Sequence, residues 1–232
     1  MLSPFLLIIA VVSFGAAAAS SPTKIIVDTD MGMDVDDVGA VTLANALHMS
    51  GEAELLAVVH DTGYSKGVGG VSAINTFYNN SAVEVGAYKG TFGDTACDGC
   101  AGASGQDQYL GTMISVYSPP IKSYDDCDDA WVVYRRVLAA QPDHSVTIAS
   151  IGMLTNLYLL FRRSEGDEYS PLSGIDLVAQ KMEKVVYMDG GYNFGCAAGY
   201  VGETSACDGN AEFVVENWPA NVTQYFMDAG GR

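Results

Sequence analysis

Short apolar runs alternate with amphipathic segments along most of the chain, and this alternation constrains the fold more than any other feature. KIIVD, AELLAVV and AVEVGAY, which begin at Lys24, Ala53 and Ala82, have the length and composition of buried strands. HSVTIASI, MEKVVYMDG and NVTQYFM repeat the pattern later in the chain. Helices are predicted between the strands, over residues 36–49, 69–80, 128–141, 154–163 and 210–218. Six strands separated by helices predict one α/β domain with an open, mainly parallel, doubly wound sheet.

Five carboxylates crowd the end of the first predicted strand: Asp28, Asp30, Asp34, Asp36 and Asp37. Open α/β sheets bind their ligands beyond the carboxyl ends of the strands. Ionised carboxylates repel one another there unless protons or a cation neutralise them. The dipole of the following helix contributes only about 0.3–1 kcal/mol, so a hard divalent cation is the stronger expectation. Asp34 is assigned with equal weight to a helix cap or to solvent.

The N-terminus has the features of a cleaved export signal. An apolar core from Phe5 to Phe14 precedes Ala17, Ala18 and Ala19, the small residues that signal peptidase recognises. A membrane anchor is the alternative, but the run is shorter than the roughly 20 residues that cross a bilayer. Residues 1–19 are therefore predicted to be a signal peptide, and residues 20–232 a secreted or extracytoplasmic domain.

Export changes how the cysteines are interpreted, because an oxidising compartment favours disulfides. Residues 91–129 are rich in Gly, Cys and Asp and are predicted to form a surface insertion. CDGC in this segment has the spacing of one ligand pair of a zinc site, but the sequence has no second pair to complete the four ligands. A disulfide between two of the first three cysteines is expected to tie the insertion. The five cysteines are Cys97, Cys100, Cys127, Cys196 and Cys207, and sequons begin at Asn79 and Asn221.

The balance of charge limits the partners. The chain has 28 acidic and 11 basic side chains and a formal net charge of −17, so it offers no basic surface to nucleic acid or anionic lipid. A neutral small molecule or a cation suits this composition better.

The acidic stretch and several later motifs resemble the inosine–uridine preferring nucleoside hydrolase family. DTDMGMDVDDVGA resembles its Asp-x-Asp-x-Gly-x-Asp-Asp signature, with two extra residues before the last Asp pair. VTIASIGMLTNL resembles its Gly-x-Leu-Thr-Asn motif, and KVVYMDGGY its Met-Gly-Gly strand end. INTFYNN, VGAYKG, SPLSGIDLVAQKMEKVV and FVVENWP are similar to its secreted or periplasmic branch. These motifs occur in the family's order from Lys24 to about Asp228.

The resemblance implies calcium-dependent hydrolysis of the N-glycosidic bond of ribonucleosides, which releases the base and ribose. It implies that Asp30 is both a Ca²⁺ ligand and the general base, that Asp37 is a second ligand, and that Ile151 supplies a carbonyl oxygen. Asp36 matches the residue that binds a ribose hydroxyl. The expected partner is a small ribonucleoside; neither nucleic acid nor a stable membrane anchor is expected, and a homo-oligomer is left open.

The sequence departs from the family pattern in three places. Asp61 is the nearest polar substitute for the Asn that follows the family's second strand, although a turn residue is the alternative. Glu203 stands nearest the expected ribose clamp, with a solvated loop glutamate as the alternative. His48 and His144 fit surface or capping roles, so the family's C-terminal His and last calcium-binding Asp have no counterpart. The chain is therefore expected to lack the family's C-terminal part.

Two other functions compete with hydrolysis. One is an inactive homologue or gene fragment that binds calcium or nucleoside without turnover. The other is an aspartyl-phosphate type phosphatase with Asp28 as the nucleophile and Asp30 as the acid/base. That chemistry also needs a Lys and a Ser or Thr at strand ends, and the sequence places neither there.

Overall fold

Seven parallel strands form one open sheet in the computed structural model, which describes residues 21–32, 35–90, 106–188 and 210–227. The strands lie in the order β4-β3-β2-β1-β5-β6-β7. This arrangement confirms the predicted open, parallel α/β architecture. The strands are β1 Thr23–Thr29, β2 Ala53–His60, β3 Glu84–Ala87, β4 Asp128–Asp129, β5 Val146–Ser150, β6 Met182–Met188 and β7 Thr223–Met227.

Helices cover both faces of this sheet. One apolar core contains buried residues of α1, α2 and α3, and the other contains buried residues of α4, α5, α6 and α7. The helices of the described ranges are α1 Asp36–Ser50, α2 Gly67–Phe77, α3 Gln106–Tyr117, α4 Ala130–Ala139, α5 Thr155–Phe161, α6 Gly174–Lys181 and α7 Asn210–Glu216. The sheet is therefore the middle layer of three.

The central strand β1 is apolar on both sides because it serves both cores. Ile26 belongs to the core under α4–α7, and the next residue, Val27, belongs to the core under α1–α3. Successive side chains of a strand point to opposite faces, so a strand buried on both faces has a continuous apolar run instead of an alternating one. Val58 and Val59 of β2 divide between the two cores in the same way.

The order of the strands reverses beside β1. The chain moves outward from β1 through β2 and β3 to β4, and it then returns to place β5 on the other side of β1. Asp28 of β1 pairs with Ser150 of β5, and the Ile151 N–H donates to the Asp28 carbonyl at 2.7 Å. Such a switch point leaves a crevice at the carboxyl ends of the two strands. The acidic stretch that follows β1 begins at this crevice.

The structure corrects two expectations about the elements and adds one helix. The sheet has a seventh strand, β4, whose residues Asp128 and Asp129 lack the apolar signal of a strand, and the fourth helix therefore begins at Ala130. The segment 91–129 is not only a surface insertion, because it contains α3 and buries Leu110 completely. The short helix α6 was not predicted at all.

Most features that bear on export lie outside the described residues. Residues 1–19 and the cysteines at 97, 100, 196 and 207 are among them. Cys127 has no disulfide partner within the described ranges, and burial raises the pKa of its thiol to about 11. Within the described ranges, no helix has the length and apolar character needed to cross a membrane. The signal peptide and the disulfide stay predictions.

Candidate functional site

Four aspartates from three segments meet at the carboxyl ends of β1 and β2. Asp28 and Asp30 lie at the end of β1, Asp37 lies in the first turn of α1, and Asp61 directly follows β2. Asp28 and Asp61 are fully buried and Asp37 is almost fully buried. Their burial removes solvent that would otherwise screen their charges from one another.

Asp61 is the least satisfied member of this carboxylate cluster. Neither of its carboxylate oxygens has a hydrogen-bond partner among the described residues, although the nearby Met153 N–H slightly favours the charged form. Burial raises the Asp61 pKa well above its usual value, and the charges of Asp28, Asp30 and Asp37 raise it further. A buried carboxylate without donors is costly unless it takes up a proton or a cation approaches it.

Asp28 is held by side chains from two helices. The Tyr134 hydroxyl of α4 donates to one carboxylate oxygen at 2.8 Å, and the Asn156 amide of α5 donates to the other at 2.8 Å. Burial raises the Asp28 pKa to about 7, although both hydrogen bonds lower it. With no exposed surface and both oxygens bonded, Asp28 is badly placed to attack a phosphate, which argues against the phosphatase alternative.

Asp30 and Asp37 are joined directly. Burial raises the Asp30 pKa to about 6, while a hydrogen bond with Asp37 lowers it. Two carboxylates this close repel each other, which favours a proton or a cation between them. The Thr29 hydroxyl also donates to Asp37. Asp36 is exposed at the start of α1, and its charge raises the Asp30 pKa slightly.

Gly152 allows β5 to approach the carboxylate cluster. A methyl group on its Cα would lie 2.4 Å from an Asp61 carboxylate oxygen and 2.6 Å from the Asp30 nitrogen. Only glycine therefore fits between these two aspartates without displacing them. Ile151, the predicted carbonyl ligand, immediately precedes it and is hydrogen-bonded through its N–H to Asp28.

The motif Gly-Met-Leu-Thr-Asn after β5 has a structural role that the sequence did not reveal. The Thr155 hydroxyl donates to the Asp61 carbonyl, and Asn156 donates to Asp28. Both residues lie in the first turn of α5, so one helix start fixes the ends of β1 and β2 together. Tyr134, Thr155 and Asn156 are parts of the site that were not predicted from the sequence. The motif itself was the available signal for the last two.

His60 lies beside the cluster but is a weak proton donor. It ends β2, it is buried, and its Nε2 lies 3.1 Å from the Met31 carbonyl oxygen. Burial lowers its pKa to about 4, so the ring is neutral near pH 7. His48, which was expected to have a capping or surface role, accepts a hydrogen bond from the Leu55 N–H at 3.1 Å.

The donor set fits a hard cation, although the side chains do not form a finished metal cage. No group of three or more His, Cys, Asp or Glu side chains in the described ranges is arranged to hold a metal ion. Several carboxylates are nevertheless crowded together, and Asp61 keeps two unpartnered oxygens. Ca²⁺ prefers oxygen ligands and accepts irregular geometry with water completing its shell. Asp30, Asp37 and Asp61 are thus the residues best suited to approach such an ion.

A comparison with protein families agrees with this geometry. The sequence model of the inosine-uridine preferring nucleoside hydrolase family matches residues 25–217. The chain belongs to this family. The matched region contains the four clustered aspartates and the motif after β5. A search of curated proteins found no match.

Solved structures share the fold of this nucleoside hydrolase family member. The type III effector protein XopQ, solved in complex with adenosine diphosphate ribose, superposes with a TM-score of 0.63 at 18% identity over 86% of this chain. The purine-preferring ribonucleoside hydrolase from Gardnerella vaginalis superposes with a TM-score of 0.55 at 19% identity over 87% of this chain. The effector protein XOO4466 gives 0.52 at 19% identity over 74%. This chain spans 54%, 60% and 45% of those three chains, respectively.

The structure brings together most, but not all, of the predicted site residues. Asp30, Asp37 and Asp61 lie in one cluster, and Ile151 adjoins it across β1 and β5. Asp36 is at its exposed rim. Glu203, the predicted ribose clamp, lies outside the described residues, as does Asp34.

Proposed function

We propose that this nucleoside hydrolase family member cleaves the N-glycosidic bond of ribonucleosides in a calcium-dependent reaction, releasing the base and ribose. The observation that carries the proposal is Asp61, whose two buried oxygens lie beside Asp30 and against Gly152 without a well-formed hydrogen bond among the described residues. Such a carboxylate is destabilising in the metal-free protein and is explained if it faces a cation or a ribose hydroxyl. Family membership supplies the class of reaction.

Asp30, Asp37 and the Ile151 carbonyl would hold the ion, while Asp61 would bind it or an adjacent ribose hydroxyl. When bound, calcium lowers the pKa of a water in its shell and orients ribose hydroxyls. Asp30 is the general base in this scheme because it matches the family's signature, and a carboxylate that ligates the ion lies beside a water in the ion's shell and can accept its proton.

Asp36 and Glu203 complete the proposed ribose contacts. Asp36 is exposed at the mouth of the crevice, where it can accept a hydrogen bond from a ribose hydroxyl without blocking Asp30. Glu203 is proposed to bind ribose only because its position in the sequence resembles that of the family's ribose clamp. Tyr134 and Asn156 position Asp28, which in turn fixes the end of β1, so their contribution is indirect.

Calcium titration and nucleoside turnover test this function. Asp30→Asn should remove calcium binding measured by calorimetry and reduce ribose release from inosine or uridine by about 10²–10⁴-fold. Gly152→Ala should weaken calcium binding by about 10–100-fold, because its methyl group displaces Asp61 and Asp30 at a cost of about 1–3 kcal/mol.

Gly39→Ala is the matched control for the glycine variant. A methyl group there, on the exposed side of α1, meets no atom within 4 Å, so calcium affinity should not change. Undiminished calcium affinity in both Asp30→Asn and Gly152→Ala would refute the proposed site.

A binding protein without turnover is the second candidate. XopQ has been solved with adenosine diphosphate ribose, which shows that a protein of this fold can hold a ribose-containing ligand. If this chain binds calcium and a nucleoside but releases no ribose at saturating calcium, it belongs to this second class.

Export is a separate proposal that rests on the sequence alone. Asn79 and Asn221 of the two sequons are both exposed, which is compatible with glycosylation. The N-terminal sequence of the protein recovered from its producing cells should begin at Ser20. An intact Met1 on the recovered protein would contradict cleavage.

A further inference from the structure

A pocket of about 300 Å³ lies between the first turns of α4 and the segment that follows α5. It shares no residue with the carboxylate cluster. Trp131 and Arg135 of α4 form one wall, and residues 162–167 form the other. Three of the chain's five arginines line it: Arg135, Arg162 and Arg163.

Arg135 is the buried charge of this arginine pocket. Its side chain is 1% exposed; its Nε donates to Asp167, and its Nη2 donates to the Ser170 and Leu172 carbonyls at 3.0 and 2.9 Å. Its Nη1 is buried and has no hydrogen-bond partner among the described residues. A buried guanidinium nitrogen normally has an acceptor, so the charge of Arg135 is only partly compensated by the described residues.

The other two arginines are oriented by aromatic rings and not by carboxylates. The Arg163 guanidinium lies 3.8 Å from the centre of the Trp131 ring, and that of Arg162 lies 5.7 Å from the Phe213 ring. Neither forms an ion pair with the acidic side chains of the described ranges. Stacking on an aromatic face fixes a guanidinium while leaving its N–H groups available to a ligand.

The loop that closes the pocket is held in place. The Asp167 carboxylate accepts hydrogen bonds from the Tyr169 and Ser170 N–H groups at 3.0 and 3.1 Å, and Arg135 binds the same loop. Gly166 packs so closely that a methyl group on it would lie 2.5 Å from the Pro171 carbonyl oxygen. The wall is therefore built by specific contacts.

The charge of the pocket is unusual for this chain. Its lining carries three arginines against Glu165 and Asp167, and Asp167 is already paired with Arg135. The local excess is one positive charge, whereas the whole chain carries −17. Fixed guanidinium groups around a partly enclosed space suit a tetrahedral oxyanion, whose several oxygens accept multiple N–H bonds.

We propose that the arginine pocket binds a phosphate group, either as inorganic phosphate or as a phosphate monoester. Arg162 and Arg163 donate to the phosphate oxygens, and the buried charge of Arg135 adds to the positive potential behind them. The proposal is independent of the nucleoside hydrolase reaction, because no residue of the carboxylate cluster takes part.

Phosphate titration followed by the indole resonance of Trp131 tests the site. The measurement uses the full chain in calcium-free buffer, with chloride adjusted to hold ionic strength constant. The native protein should show a saturable shift with inorganic phosphate. Arg162→Gln and Arg163→Gln should each weaken binding by about 10-fold or more, because each loses a charge-assisted hydrogen bond. Ribose 5-phosphate in a parallel titration shows whether a sugar on the phosphate strengthens or blocks binding.

Lys184→Gln is the control, since it removes one positive charge from β6 outside the pocket. Its phosphate affinity should equal that of the native protein. Because both arginines are on the surface side of the pocket, their variants remain informative even if an Arg135 variant fails to fold. No saturation by either phosphate compound, or an equal loss in Lys184→Gln, would overturn the proposal.

Discussion

The carboxylate cluster and the arginine pocket each contain buried charge, but their neighbours differ in sign. Around Asp61 the nearest charges are the carboxylates of Asp28, Asp30 and Asp37, all of the same sign. Around Arg135 the neighbours are the Asp167 carboxylate and two backbone carbonyls, all acceptors. The cluster is therefore electrostatically unfavourable without a ligand, whereas Arg135 is mostly compensated within the chain.

The two regions also have different ways to relieve unpaired charge. A buried carboxylate can take up a proton, and the raised pKa values of Asp28, Asp30 and Asp61 reflect this response. A guanidinium stays charged at any ordinary pH, so Arg135 must be paired by structure. A cluster that can be neutralised by protons or by a cation is suited to a pH-sensitive calcium site. The charge of the arginine side chains that line the arginine pocket should change little with pH.

The largest expected effect is the pH dependence of stability without calcium. The pKa values of Asp28 and Asp30 are about 7 and about 6 in the folded state, above the value of 3.8 for a free side chain. Between about pH 4 and pH 7 the folded state therefore holds protons that the unfolded state has released, and stability falls as pH rises. Each pKa unit between the folded and unfolded states corresponds to about 1.4 kcal/mol in the free energy of unfolding.

Thermal melts with EDTA or with excess Ca²⁺ measure this dependence. Without calcium, Tm should fall from pH 5 to pH 7.5 by roughly 2–4 °C for each kcal/mol lost. Calcium should restore Tm at pH 7.5 and change it little at pH 5, where protons occupy the carboxylates. A calcium-free Tm that rises over this interval would show that the aspartates are not crowded as described.

Matched charge removals in the two regions should have opposite effects. Asp61→Asn removes a repelled charge and places amide donors among carboxylates, so it should stabilise the calcium-free protein by about 1 kcal/mol at pH 7.5 while lowering calcium affinity. Asp167→Ala leaves the buried Arg135 charge without its carboxylate and should destabilise by about 3 kcal/mol.

Urea unfolding of the native protein, Asp61→Asn and Asp167→Ala, all without calcium, measures these opposite effects. Asp125→Asn, an exposed carboxylate change, serves as a control and should unfold like the native protein. Destabilisation of similar size in Asp61→Asn and Asp167→Ala would mean that the Asp61 carboxylate is stabilised by a partner other than a cation.

Features encoded by local sequence were predictable, and contacts between distant segments were not. The apolar runs predicted six of the seven strands, and the end of the first strand placed Asp30 and Asp37 at the ligand-binding edge of the sheet. The two-residue strand β4 has no apolar pattern because it lies at the edge of the described sheet, where it pairs with β3. The contact between Asn156 and Asp28 joins residues 128 positions apart, which no local pattern encodes.

One motif of the family resemblance is structural and lies away from the cluster. Asn75 and Asn80, within INTFYNN, form a buried amide network with Asn45 of α1, at 2.9 and 3.0 Å. From sequence alone, such asparagines cannot be distinguished from ligand-binding ones, because burial and partners decide between the two. The fully buried position of Asp61 was likewise unpredictable, as the sequence allowed a turn residue there.

An effect smaller than that of Asp167→Ala is expected at Tyr134, which supports the cluster without touching the proposed ion. Tyr134→Phe removes one of the two donors to Asp28 and leaves the ring in the core under α4–α7. Loss of one hydrogen bond to a buried carboxyl group should cost about 1–2 kcal/mol at neutral pH. Because that bond favours the charged form, its loss should raise the Asp28 pKa above about 7, and the variant should recover most of its stability at pH 5. Tyr225→Phe on the exposed face of β7 is the control and should change stability little at either pH. Urea unfolding of both variants at pH 5 and pH 7.5 measures the difference. An equal loss for Tyr134→Phe at both pH values would assign its effect to packing and would remove Asp28 from the titrating cluster.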